Sequence, residues 1–295
     1  MNDDDTTNRT QRLTPWPNGA RLAVYFIVAV EDYRPDDGLT EDIVPGVPAP
    51  DLVNRAWRDY GNNEGAQRLI DVATTAGIPV TTMLNTMLYD SMPDVLEGFR
   101  TVGAEFVAHG HSNSDTLAGM SPDEELRYVS GISELIEKYE GQSPRGWSSP
   151  WLTHTPNTTT HLAQAGYQYL LDLRSHDRPV WITTEQGPLL SIPYSTEIND
   201  STSMIGRQVG ASDFADMIID EFDELLTTGG EGPLVMSVIS HAFISGAPFR
   251  TRHLRRALTH ITAHAGTDVW LTRPGEIYDA FSALSPAPDT NGVHP

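Results

Sequence analysis

Apolar and polar positions along the chain switch between two periods. Arg21–Glu31 (RLAVYFIVAVE) is a continuous apolar run rich in Val and Ile. It is too short for a bilayer span of about 20 residues, and it predicts a strand buried on both faces that ends at Glu31-Asp32. Residues 33–62, rich in Pro, Asp and Gly, predict a long loop. Glu64–Ala76 has helical spacing, with Leu69, Val72, Ala73 and Ala76 on one face and Gly77 as a stop. Strands follow at Pro79–Leu84 and Glu105–His109, with a helix over Asp94–Val102 between them. Ser121-Pro122-Asp123-Glu124 opens a helix to Tyr139 with acids in its first turn. The alternation continues with strand Tyr167–Leu173, helix Ser212–Thr227, strand Leu234–Ser240, helix His253–His264, strand Val269–Leu271 and helix Pro274–Phe281. Such alternation predicts an α/β fold of βαβ units around a parallel sheet. Residues 15–284 read as one domain, with flexible tails at 1–14 and 285–295.

Composition narrows the function. The length of 295 residues suits one α/β barrel, which runs to about 250 residues. The net charge is −21, from 40 acids against 19 bases, and no run of Lys or Arg occurs. Phosphate binding needs a basic patch, so nucleic acid and membrane surfaces are excluded as partners, and the charge reads as solubility. Cysteine is absent, which removes disulfides, thiolate nucleophiles and Cys-type zinc sites. Met1–Arg12 is polar and acidic, without the apolar stretch of a signal peptide, so a cytoplasmic protein is expected.

In parallel α/β folds the active site lies at the carboxyl ends of the strands. The residues there are Glu31-Asp32, His109-Gly110-His111, Arg145-Gly146-Trp147, Asp172 and His241. Two adjacent carboxylates repel each other and lose water. One pKa is therefore expected to rise, as a general base needs, while the other can hold a cation; the alternative is a strand-end turn. His109 and His111 stand two residues apart, with Gly110 giving the backbone freedom. A strand-end His is otherwise a hydrogen-bonded structural residue. His241 suits a general acid that protonates a leaving nitrogen. Arg145 can orient a carboxylate through two hydrogen bonds, or else is a surface residue at a turn. Trp147, Trp151 and Tyr194 are candidate pocket walls, with core packing as the alternative. Phosphate-binding GxGxxG and GxxxxGK[ST] loops are absent, as is a GxSxG nucleophile elbow.

Taken in order, these strand ends resemble the polysaccharide deacetylase family (carbohydrate esterase family four) over about Trp16 to Phe281. WPNGARLAVYFIVAVED resembles that family's first strand with its Asp-Asp pair, here Glu31-Asp32. FVAHGHSNSD resembles its metal motif, PRGWSSPW (144–151) its Arg-x-Pro loop, and VISHAF its final Leu-x-His motif. The WPNGAR opening, GPLLSIPYSTEIND (187–200) and ADMIIDEFDEL (215–225) are similar to the intracellular branch with its allantoinase-like and cyclic-imide-hydrolase-like members. The resemblance implies a distorted (β/α)7 barrel that cleaves an amide with water. It implies Glu31 as base, His241 as acid, and Asp32 and His109 as metal ligands. The family's second ligand His is here Asn113, four residues after His109. A neutral amide oxygen is a poor zinc ligand beside imidazole, and His111 has the wrong offset. Two versions therefore stand, one with a divalent metal such as zinc and one with none.

The leading expectation is hydrolysis of a non-peptide carbon–nitrogen bond in a small cyclic amide, imide or ureide. His111, Arg145, Trp147, Trp151 and Tyr194 would contact the substrate. The alternatives are N-deacetylation of an acetylated sugar or polysaccharide, and a catalytically inactive ligand-binding barrel. The expected partner is a small molecule, with a homo-oligomer in keeping with the branch.

Overall fold

The run expected to be buried on both faces is β1 (Leu22–Val30), and all nine of its residues are buried. The computed structural model describes residues 16–228, 232–266 and 268–288; the expected tail at 1–14 and most of that at 285–295 lie outside the described residues. β2 (Val80–Leu84) runs parallel to β1, and β3 (Glu105–Ala108), β4 (Gly146–Trp147) and β5 (Tyr169–Leu170) extend the sheet in parallel. β6 (Val180–Thr184) and β7 (Gly187–Ser191) form an antiparallel hairpin, and β7 joins β5 in parallel. β8 (Leu234–His241) and β9 (Val269–Thr272) both pair with β1 in parallel. The order is β6-β7-β5-β4-β3-β2-β1-β8, with β9 beside the first half of β1. This curled sheet with helices outside it is the expected distorted α/β barrel. Among the described residues it has nine strands rather than seven, since the β6–β7 hairpin adds strands that the sequence pattern did not show.

Side-chain direction along β1 explains what the barrel presents at its mouth. Leu22, Val24, Phe26, Val28 and Val30 pack with Leu69, Phe99, Ile132, Phe222 and Leu258 under the helices. Ala23, Tyr25, Ile27 and Ala29 pack with Met83, Val107, Tyr169, Leu190 and Ile239 inside the barrel. Successive side chains on a strand point to opposite faces. Odd-numbered positions of β1 thus face the interior, and Glu31 is the next odd position. The same parity carries Val107 to His109 and Ile239 to His241.

Residues 33–62 are not all loop. Leu52–Tyr60 is a helix, started by the Asp51 carboxylate accepting the Asn54 N–H at 3.0 Å. Its Leu52 and Val53 face solvent, so no apolar period marked it. A wider turn, Gly61–Gly65, follows. A Cβ on Gly65 would lie 2.1 Å from the Ala242 carbonyl oxygen, so glycine lets this turn lie against the chain just beyond His241. From it, Asn62 Nδ2 donates to the Glu31 carbonyl at 2.8 Å. The strand expected over Tyr167–Leu173 is only Tyr169–Leu170. No helix among the described residues is long and apolar enough to cross a membrane.

Asn85, fully buried just past β2, ties three strand ends together. Its Oδ1 accepts the Asp32 N–H at 2.9 Å, and its Nδ2 donates to the His109 carbonyl. Asn85→Ala leaves both groups unsatisfied and should cost about 1–3 kcal/mol. Urea denaturation measures this, and an unchanged midpoint would remove Asn85 from the framework of the mouth.

Candidate active site

Glu31, His109 and His241 meet at the carboxyl ends of β1, β3 and β8, in a cavity of about 420 Å³. Glu31 Oε1 lies 3.3 Å from His241 Nε2 and 3.5 Å from His109 Nε2. Its Oε2 accepts from the Tyr33 hydroxyl at 2.6 Å and from Asn113 Nδ2 at 2.9 Å. Each imidazole is fixed from behind. His241 Nδ1 bonds Asp200 Oδ1 at 2.6 Å, while the Asp200 carboxylate also accepts the backbone N–H groups of His241 and Ser245. His109 Nδ1 donates to the Ser148 carbonyl at 2.8 Å. The Ser148-Ser149 turn is in turn held by Asp172, which accepts from Ser148 Oγ, Ser149 N–H and His154 Nε2. With both Nδ1 atoms so engaged, both Nε2 atoms are turned toward Glu31.

The electrostatics differ from the expectation for adjacent carboxylates. Burial alone would raise the Glu31 pKa, yet the positive charge of His241 and hydrogen bonds from His109 and His241 pull it well below the carboxylate range. Burial would lower that of His241, but the charges of Glu31 and Asp200 drive it well above the usual imidazole value. Glu31 is thus a carboxylate and His241 an imidazolium at neutral pH. Asp32 does not perturb its neighbour as expected, because strand parity turns it away. Its carboxylate accepts from the Tyr33 N–H at 2.8 Å and from Ser91 Oγ, outside the cavity.

Of the other predicted residues, Asn113, Trp151 and Tyr194 line the cavity. Trp151 does so with φ at +57°, a strained backbone for a bulky residue, held by its Nε1 donating to the Asn113 carbonyl at 2.6 Å. Three predicted contacts lie elsewhere. Arg145 precedes β4 instead of following it, so it sits at the far end of the barrel and pairs with Asp279 and Gln168. Trp147 is fully buried, edge-on to Tyr167 in the layer under the helices. His111 is exposed and bonds Thr86 Oγ1 at 3.0 Å. Tyr33, Glu41, Asp200 and Ser201 belong to the site but were not foreseen. Asp200 closes the GPLLSIPYSTEIND segment, which was the one sequence signal for it.

The implied metal ligands do not come together. The Asp32 carboxylate points away, and Asn113 turns its N–H₂ toward Glu31 and Tyr33. Among the described residues no group of three or more His, Asp or Glu is arranged to hold a metal ion. The donor set here does not fit the family's metal.

Comparison with known proteins agrees with the motifs. Residues 58–170 match the family model described as polysaccharide deacetylase. A Schizosaccharomyces pombe protein named as a polysaccharide deacetylase is 26% identical over 92% of this chain and 93% of its own length. A Helicobacter pylori peptidoglycan deacetylase is 24% identical over 82% and 91%. Among solved structures, PuuE allantoinase superposes with a TM-score of 0.83 at 25% identity, covering 92% of this chain and 94% of that one. A Pseudomonas aeruginosa protein described as a polysaccharide deacetylase has the same fold, at a TM-score of 0.80 and 24% identity.

Asp200→Asn removes the charge behind His241 while keeping the shape. The His241 pKa should fall, as read from its side-chain ¹⁵N shifts across pH. A raised imidazole pKa contributes stability that is fully present below the unfolded value, near 6.5, and lost as pH rises through the folded value. The variant should therefore lose stability most on the acid and neutral side, by about 1–3 kcal/mol. Identical titration curves in the two proteins would show that Asp200 does not set the charge of His241.

Proposed function

We propose that this hydrolase of the polysaccharide deacetylase superfamily opens the carbon–nitrogen bond of a small cyclic amide, imide or ureide in the cytoplasm. The observation that carries the reading is the cavity itself. At about 420 Å³ it is of small-ligand size, and Glu31 and His241 stand at its base, already charged as the base and the acid. A cavity of this size also speaks against an inactive barrel, in which side chains would fill the mouth. A polymer substrate, as suggested by the named deacetylases among the relatives, would call for an open groove.

In this mechanism Glu31 takes a proton from water, and the water oxygen adds to the ring carbonyl carbon. The carbon–nitrogen bond then breaks as His241 gives its Nε2 proton to the departing nitrogen. The first transfer helps the second. The Glu31 charge is what holds the His241 proton, so once Glu31 has taken the proton of water, His241 becomes a stronger acid for the second transfer. Tyr33 and Asn113 hold the Glu31 carboxylate in place, and Asp200 stabilises the imidazolium before transfer. No step is assigned to a metal, since the donor set does not fit one.

Screening ring amides, imides and ureides against acetylated sugars, with and without chelator, tests the reading. Turnover of a ring substrate that survives chelator is expected; turnover of acetylated sugars alone would overturn it. With the substrate in hand, Glu31→Gln should lower kcat by about 10²–10⁴-fold, and its melting temperature should fall because His241 loses the charge that holds its proton, while circular dichroism should show the parent's fold. Glu31 stays ionised on the acid side of neutrality, so kcat should hold from about pH 7 down to about pH 5 and fall at alkaline pH as His241 loses its proton. Near-normal turnover by Glu31→Gln would remove Glu31 from the mechanism.

A further inference from the structure

The loop after β1 brings into the cavity a carboxyl that the hydrolytic pair does not use. Glu41 is 8% exposed and is gripped at both ends: its carbonyl accepts from Arg58 at 2.8 Å, and its Oε1 accepts from Ser201 Oγ at 2.7 Å. Burial, with the charges of Glu31 and Asp200 adding to it and that of His241 opposing, raises its pKa to about 7. The other groups around it are Tyr33 and Asp42, the latter tied to Arg58 at 2.9 Å. A third negative charge beside Glu31 and Asp200 is costly, so the acid form is within easy reach. Asn113 lines the same cavity, and its Oδ1 is buried without a partner among the described residues.

We propose that Glu41 selects the substrate, its protonated carboxyl pairing with the adjacent N–H and C=O of a ring amide, imide or ureide. This rests on the ring-opening reading above and names what that site recognises. A carboxylic acid presents one donor and one acceptor side by side. A ring amide is locked cis, so its N–H and C=O lie on the same edge and match that pair with two parallel hydrogen bonds. The acetamido group of a sugar is a trans amide, with N–H and C=O on opposite sides, and can make only one of them. A neutral Glu41 thus favours rings over acetylated sugars through geometry, and ionisation removes the donor half. Glu41 is a binding and positioning residue: it grips the edge of the ring and leaves proton transfer to Glu31 and His241.

The test compares the protein with Glu41→Gln and Glu41→Ala on succinimide, hydantoin and N-methylsuccinimide at pH 6 and pH 8. With a pKa near 7, the parent's KM for the N–H rings should rise roughly tenfold from pH 6 to pH 8. Glutamine keeps a donor beside an acceptor at every pH, so Glu41→Gln should hold the same KM at both values. Glu41→Ala should raise KM roughly tenfold at pH 6, with kcat falling far less. N-methylsuccinimide has no N–H, so it should bind the parent more weakly than succinimide does and lose that difference in Glu41→Ala. A parent KM that ignores pH, together with a Glu41→Ala KM like the parent's, overturns the assignment while leaving ring hydrolysis standing. Absence of turnover on every ring at either pH overturns the ring-opening reading and this subsite with it.

Discussion

Glu31 is 2% exposed and has given up nearly all its water, a loss that costs an ion several kcal/mol. One imidazolium 3.3 Å away returns about 5 kcal/mol at an effective dielectric near 20. His241 has been dehydrated too, so the pair on its own comes close to breaking even. The balance shifts through the groups around it. Tyr33 and Asn113 donate to Glu31, and Asp200 brings a second negative charge to the far side of the imidazole. Charge-assisted hydrogen bonds of this kind contribute about 1.5–3 kcal/mol each. The mouth of the barrel is thus organised to keep a proton on His241 and off Glu31, which is the distribution a hydrolase needs before its substrate arrives.

The rest of the architecture can be followed outward from that pair. Strand parity puts Glu31, His109 and His241 on the interior face and sends Asp32 outward. Asn85 and Asn62 then fix the backbone at Glu31-Asp32 after β1 and at His109 after β3, and Asp172 fixes the turn that carries the Ser148 carbonyl. Above this frame, the cavity walls come from connecting segments, around Thr40–Asp42 and Asn199–Gly206. Such a division between a rigid base and variable walls is how one barrel can serve different substrates.

Much of this was legible in the order of residues. The apolar run of β1 and the βα alternation identified the sheet, and the polar residues after each strand identified Glu31, His109 and His241. The period of two, applied one residue further, would also have separated Glu31 from Asp32 and corrected the expected pKa. Arg145 was misplaced because it precedes its strand, and Trp147 because a two-residue strand leaves too little pattern to show which face it buries. Tyr33 and Glu41 carried no sequence signal, and Asp200 only that of the GPLLSIPYSTEIND segment it closes. Glu41 and Asp200 reach the site through tertiary approaches across tens to hundreds of residues, as in the 41 between Asp200 and His241 and the 160 between Glu41 and Ser201, whereas Tyr33 bonds Glu31 two residues away, a contact set by how the chain turns after β1. The metal question followed the same line: the sequence showed Asn113 in place of a His, and only the fold showed Asp32 turned away.

The most direct measurement of the central claim is a joint neutron and X-ray structure at neutral pH, which locates the protons themselves. The account predicts deuterium on both nitrogens of His241 and none on Glu31. A neutral His241 beside a protonated Glu31 would contradict it.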